Sequence, residues 1–217
     1  MRFTPTIPNY ISIFRIVLII PLITCIWIET FWSFLAALLI YVISAISDTL
    51  DGIIARKLNQ ESEFGAYIDP LADKIMIWSV FIVFAFKQEL MIPFWMIIPI
   101  IGRDIAVTYL RSYSKKKHIE FKTSFIAKAK TTVQMISALF ILGHMFIPTF
   151  FRFVNKLPES LSYIEIWQTI TPNYSIIIYI PLLLTILTMV FTIYTGIDYY
   201  LIYKKNRDQA HESSKNG

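Results

Sequence analysis

The stretch that decides the fold is DTLDGIIARKLNQESEFGAYIDPLAD, residues 48–73. It contains four aspartates, and a long apolar run lies on each side of it. Ionisable residues at or near membrane depth are costly to place, so they usually serve binding or catalysis. The number of apolar runs and the arrangement of these four carboxylates therefore indicate what kind of protein this is.

The composition is that of a membrane protein. Hydrophobic residues make up 56% of the 217 residues and charged residues only 16%, whereas soluble domains carry about 25% charged residues. Since about 20 apolar residues cross a bilayer as a helix, we predict an all-α integral membrane protein. Its six transmembrane helices are expected at Ile11–Ile28, Phe31–Ile46, Ile75–Phe86, Met91–Leu110, Val133–Ile147 and Ile176–Tyr203.

The secondary structure of two segments between these runs can also be predicted. The third run is too short to span alone, so its helix should also include Tyr67–Lys74. The segment Phe151–Asn173 has mixed polarity and two prolines, which predicts an outer loop or a short interfacial helix.

Positive charges predict the orientation of the six helices. Of the Lys and Arg residues outside the runs, three fall on one side, and fourteen fall on the other: Arg2, Arg56, Lys57, Arg111, Lys115, Lys116, Lys117, Lys122, Lys128, Lys130, Lys204, Lys205, Arg207 and Lys215. Cytoplasmic loops carry such an excess, so both termini are expected in the cytoplasm. The net charge of +5 is explained by orientation and does not call for a nucleic-acid partner. Residues 1–203 form the membrane domain, and residues 204–217 form a polar cytoplasmic tail.

The four aspartates fall into two helical pairs. Asp48 and Asp51 share one face with the small residues Gly52 and Ala55, because successive helical residues are rotated by about 100°. Asp69 and Asp73 are one turn apart on the next helix. Taken singly, they could be solvated helix ends or an N-terminal cap. Four carboxylates together require a positive partner, and hard divalent cations with carboxylate ligands are the usual one.

The pattern resembles the motif of the CDP-alcohol phosphatidyltransferase family. All eight fixed positions agree in identity and spacing: Asp48, Asp51, Gly52, Ala55, Arg56, Gly65, Asp69 and Asp73. Further similarity covers about residues 5–140 and is strongest to the bacterial branch that forms phosphatidylglycerophosphate. Two positions depart from that branch, since Asp104 stands where Glu is expected and Ala127 where Gly is expected.

The resemblance implies a homodimeric enzyme in the inner (cytoplasmic) membrane, with its active site facing the cytoplasm. It implies that two Mg²⁺ or Mn²⁺ ions are held by Asp48, Asp51, Asp69 and Asp73. Asp73 would also be the catalytic general base. The CDP-lipid would be bound by Asp48, Asp51, Gly52, Ala55, Arg56 and Gly65.

The acceptor is predicted from Arg103, which lies inside the fourth run, and from three basic residues near the cytoplasmic ends of the fourth and fifth runs, Arg111, Lys128 and Lys130. A structural Arg103–Asp104 pair and charges that only orient the helices are the alternatives. As a group, these residues favour an acceptor that carries phosphate. The expected reaction joins CDP-diacylglycerol and sn-glycerol 3-phosphate to give phosphatidylglycerophosphate and CMP.

Three further hypotheses stay open from the sequence. Within the family, a cardiolipin synthase or another head-group synthase would use a different acceptor. Outside it, a cation-binding transporter would also place carboxylates in the membrane. At the cytoplasmic end of the first helix, Asn9, Ser12 and Arg15 could contact substrate or anchor the helix at the interface.

Overall fold

The computed structural model describes the backbone of residues 7–58, 63–116 and 125–215. It describes the side chains of residues 10–47, 71–72, 74–114 and 129–208. Within these ranges the chain is helical and contains no strand, which confirms the predicted all-α class. The helices are α1 Ile7–Ile28, α2 Phe31–Leu58, α3 Glu63–Phe86, α4 Ile97–Lys116, α5 Phe125–Asn155, α6 Tyr163–Ile170, α7 Tyr174–Ile177 and α8 Ile180–Lys215.

The ends predicted at Ile28, Phe31 and Phe86 agree with the structure, several helices extend beyond the predicted spans, and the predicted start of the fourth helix is wrong. α3 begins at Glu63 and so includes Tyr67–Lys74, as the short third run required. The fourth helix begins at Ile97 and not at Met91. Met91 lies in the left-handed region with φ 52°, and Pro93 is extended, so an α-helix cannot run through them.

The segment after the fifth run contains the predicted short helix. α5 continues to Asn155, and α6 then covers Tyr163–Ile170. Ser162 and Glu165 form a capping box at the start of α6, because each side chain bonds the backbone N–H of the other residue. α8 extends as a helix to Lys215, well into the polar tail.

The helices pack around a core in which α1 contacts α2 and α3, while α5 contacts α2 and α8. α4 packs on α8 and α3. Many large apolar side chains point outward, including Ile20 at 71% exposure and Leu187 at 64%. An apolar surface of this extent is typical of a protein surrounded by lipid.

Three helices in the described part are long and apolar enough to cross a membrane: Tyr10–Ile28, Ala129–Asn155 and Tyr174–Asp208. Phe31–Ser47 and Lys74–Phe86 are shorter apolar stretches of α2 and α3. The chain is therefore a helical membrane protein, and the predicted count of six spans stays a prediction.

α5 and α8 meet through a row of buried polar side chains. Thr185, Thr188, Thr192 and Thr195 are all 0% exposed, at spacings of three and four residues along α8. Two bonds cross to α5, one from Thr188 to Ser137 at 2.8 Å and one from Gln134 to Thr192 at 3.3 Å. Small and hydroxyl side chains let membrane helices approach closely and bond each other.

His144 connects the short helices α6 and α7 to the rest of the bundle. His144 on α5 is 6% exposed, and its Nε2 donates to the carbonyl of Ile177 at 2.9 Å, since a carbonyl can only accept. In the neutral ring, Nδ1 then accepts from the Tyr163 hydroxyl at 2.5 Å. Burial raises the pKa of Tyr163, so this hydroxyl keeps its proton at neutral pH.

Tyr163→Phe should lower the free energy of unfolding by about 1–3 kcal/mol, because it leaves Nδ1 of buried His144 without a donor. The measurement is thermal unfolding of the purified protein in detergent. Tyr194→Phe is the control, since Tyr194 is 54% exposed. Equal stability of the two variants would contradict the role given to this hydrogen bond.

Candidate active site

The aspartate motif lies on two helices that both pack against α1. Asp48 and Asp51 are in the second half of α2, and Asp69 and Asp73 are in the first half of α3. The backbone is helical through both pairs, which is the condition for each pair to share a face. The side chains of these four residues lie outside the described part of the chain, as do those of Gly52, Ala55, Arg56, Gly65 and Lys128.

α1 carries buried polar residues at about the height of Asp48 on α2. Only Glu29 and Thr30 separate α1 from α2, so the two helices run antiparallel. Ser12 lies about as many residues before this connection as the residues just before Asp48 lie after it. In an antiparallel pair, Ser12 is therefore beside those residues. Ser12 is 0% exposed and Arg15 is 1% exposed. Burial this complete does not fit an interfacial anchor, and a contact of Ser12 or Arg15 with substrate stays a prediction.

A buried carboxylate forms the centre of a second group of polar residues. Asp104 on α4 is 3% exposed, and its Oδ1 accepts from Arg103 at 3.3 Å and also from Lys130 on α5. Its Oδ2 accepts from the indole N–H of Trp78 on α3 at 3.3 Å. We call Trp78, Arg103, Asp104 and Lys130 the Asp104 cluster. It joins three helices, with two cations around one carboxylate.

Arg103 is held from both sides. Its Nη1 donates to the Asp104 carboxylate, and its Nη2 donates to the carbonyl of Thr195 on α8 at 3.3 Å. These two contacts use two of the five N–H groups that a guanidinium carries. Within the described residues, Nε of Arg103 is buried and has no hydrogen-bond partner. A charged donor in this position is suited to bind an anion.

A threonine connects the Asp104 cluster to the motif helix. Thr108 donates to the backbone carbonyl of Asp104 at 2.6 Å and accepts from Lys74 at 2.5 Å. Lys74 directly follows Asp73 in the chain. The Asp104 cluster and the last motif aspartate are therefore linked through one short chain of contacts.

The structure brings together only part of the predicted acceptor set. Arg103 and Lys130 meet at Asp104, so the Arg103–Asp104 pair that was an alternative interpretation exists and includes Lys130 as well. Arg111 is exposed and lies two turns further along α4. Trp78, Thr108 and Thr195 were not predicted, because no short-range pattern marks them.

Fold and site together define a class: a helical membrane protein with pairs of aspartates on two consecutive helices and a buried carboxylate that is bound by two cations. The chain matches the profile of the family described as CDP-alcohol phosphatidyltransferase over residues 5–195. It belongs to the CDP-alcohol phosphatidyltransferase family, as the motif predicted. Membership decides against the cation-binding transporter.

Several curated proteins are similar to this chain. They come from Escherichia coli (strain K12), Escherichia coli O157:H7 and Shigella flexneri serotype 5b (strain 8401), and each is named CDP-diacylglycerol–glycerol-3-phosphate 3-phosphatidyltransferase. Each is 34% identical over 141 residues, which is 63% of this chain and 76% of the relative.

Proposed function

We propose that this protein transfers the phosphatidyl group of CDP-diacylglycerol to sn-glycerol 3-phosphate, giving phosphatidylglycerophosphate and CMP. Family membership and the names of the relatives support this reaction. The observation that carries the choice of acceptor is the Asp104 cluster, in which the partly buried Arg103 and the buried Lys130 share one buried carboxylate. A phosphate group on the acceptor would balance the excess charge and could bond the N–H group at Nε of Arg103, which has no partner within the described residues.

The motif residues fit divalent cations by the chemistry of their donors. Asp48, Asp51, Asp69 and Asp73 are four carboxylates, the ligands that Mg²⁺ and Mn²⁺ prefer. When bound, such ions supply positive charge that stabilises a diphosphate and its leaving oxygen. Gly52 and Ala55 add little bulk to α2, so a nucleotide could approach the helix there.

Asp73 is proposed as the general base. Its carboxylate would take the proton of the acceptor hydroxyl as the hydroxyl oxygen bonds to the β-phosphorus of CDP-diacylglycerol. The bond from that phosphorus to the CMP oxygen breaks, and CMP leaves. Arg103, Lys130, Lys128 and the exposed Arg111 would hold the acceptor phosphate, which orients the hydroxyl for this attack.

The membrane arrangement is part of the same proposal. Six spans with both termini in the cytoplasm would place the motif on the cytoplasmic side of the inner membrane. The polar tail, residues 204–217, would lie on that side too. We propose that the protein is a homodimer in this membrane.

An acceptor panel tests the proposed reaction. Purified protein with CDP-diacylglycerol and Mg²⁺ should release CMP with sn-glycerol 3-phosphate, whereas glycerol, serine, inositol and phosphatidylglycerol should be poor acceptors. Arg111→Ala should raise the KM for glycerol 3-phosphate by about tenfold, the effect of losing one charge-assisted hydrogen bond. The KM for CDP-diacylglycerol should change far less.

Arg207→Ala is the matched control, because Arg207 is exposed in the tail and paired with Asp208. It should leave both KM values unchanged. Preference for phosphatidylglycerol would assign the protein to cardiolipin synthesis. Preference for serine or inositol would contradict the argument from the basic residues.

A further inference from the structure

We propose that Gly196 on α8 is a positioning residue, which holds Arg103 in place and thereby sets the affinity for the phosphate-bearing acceptor. The inference rests on the proposed function, and it extends the site to the last helix of the chain. Arg103 already bonds the backbone of α8 at the Thr195 carbonyl, and Gly196 is the next residue. α8 therefore contacts both the guanidinium group and the aliphatic part of the Arg103 side chain, which we call its head and its stem.

The absence of a side chain at Gly196 makes this contact possible. A Cβ atom built there would lie 2.8 Å from Cγ of Arg103 and 3.6 Å from its Nε. Alanine has the higher intrinsic helix propensity, so a glycine inside α8 needs a reason in packing. At Gly102 and Gly143 the same construction meets no atom within 4 Å. Of the three glycines with described surroundings, only Gly196 leaves room for another side chain.

Arg103 cannot yield to an added methyl group without moving its guanidinium. The closest atom is Cγ in the stem of the side chain, while the head is fixed by Asp104 on one side and Thr195 on the other. Displacing the stem would stretch both bonds, each already 3.3 Å long. The N–H group proposed to bind the acceptor phosphate would move with it. The CDP-lipid is proposed to bind at the motif on α2 and α3, so its affinity should be affected little.

Gly196→Ala should raise the KM for glycerol 3-phosphate on the order of tenfold, the effect of weakening one charge-assisted hydrogen bond. The KM for CDP-diacylglycerol should stay close to that of the wild type. Gly143→Ala should change neither value, since its methyl group meets open space.

A double variant tests whether Gly196 acts through Arg103. In an Arg103→Ala background, Gly196→Ala should have no further effect on the acceptor KM, because coupled residues are not additive. If Gly196→Ala alone does not fold, the contact is tested by comparing the thermal unfolding of Arg103→Ala with that of the double variant. Equal stability supports the contact, since the truncated arginine leaves space for the methyl group, and a large further loss overturns it.

An unchanged acceptor KM in folded Gly196→Ala would also overturn the inference, whatever the acceptor panel shows. If the wild type instead prefers an acceptor without phosphate, the proposed function fails. The stability comparison would still report on the Gly196–Arg103 contact.

Discussion

Asp73→Asn should lower turnover by at least about a hundredfold, the scale expected when a general base is lost. Asparagine keeps the size of the side chain but can neither carry the negative charge nor take the proton of the acceptor hydroxyl. The measurement is CMP release by purified protein with CDP-diacylglycerol and glycerol 3-phosphate. Asp51→Asn and Asp69→Asn should cause losses of similar size. Chelation should abolish activity, and added Mg²⁺ or Mn²⁺ should restore it.

Asp208→Asn is the matched control for these carboxylate variants. Asp208 is 50% exposed and forms a surface pair with Arg207 in the tail. Its replacement should leave turnover and unfolding temperature near those of the wild type, because exposed ion pairs contribute little. Near-normal turnover of Asp73→Asn would remove the assignment of this residue as the base.

Asp104→Ala should lower the free energy of unfolding by about 3–5 kcal/mol, the cost of leaving buried charges without their partner. Arg103 and Lys130 would then face each other with no carboxylate between them, and the indole of Trp78 would lose its acceptor. Thermal unfolding in detergent measures the loss. It requires no substrate, so this prediction is independent of the proposed reaction.

Two further variants test whether the missing charge causes the loss of stability in Asp104→Ala. Asp104→Glu keeps the carboxylate and should lose much less stability than Asp104→Ala. Removing both charges of one pair, with Asp104→Asn and Lys130→Met together, should recover part of the loss, because Arg103 is then the one cation of the Asp104 cluster left without its carboxylate partner. An unfolding temperature of Asp104→Ala equal to that of the wild type would contradict the structural role of the cluster.

The sequence alone predicted that α3 extends beyond its short apolar run. The length needed to span a bilayer required Tyr67–Lys74 to be helical, and α3 includes them. The start of the fourth helix was predicted wrongly at Met91. Hydropathy does not report backbone conformation, and the left-handed Met91 and Pro93 delay the helix to Ile97.

The family and its motif could also be read from the sequence, because their residues lie within 26 positions of one another and their spacing is itself the signal. The Asp104 cluster could be predicted only in part. Arg103 and Lys130 stood out as charges in or near apolar runs, and an Arg103–Asp104 pair was one of the alternatives, but no local pattern joined Lys130 to that pair.

What the sequence by itself determined is the membrane class, the helical pairs of aspartates and the family, since each depends on local spacing or composition. Only the tertiary structure placed Trp78, Lys130 and Thr195 around Arg103 and Asp104, and only it showed that Gly196 leaves room for the arginine. These contacts join α3, α4, α5 and α8 across separations of 26 to 92 residues. No local pattern specifies such pairs, because they depend on how the helices pack and rotate against one another.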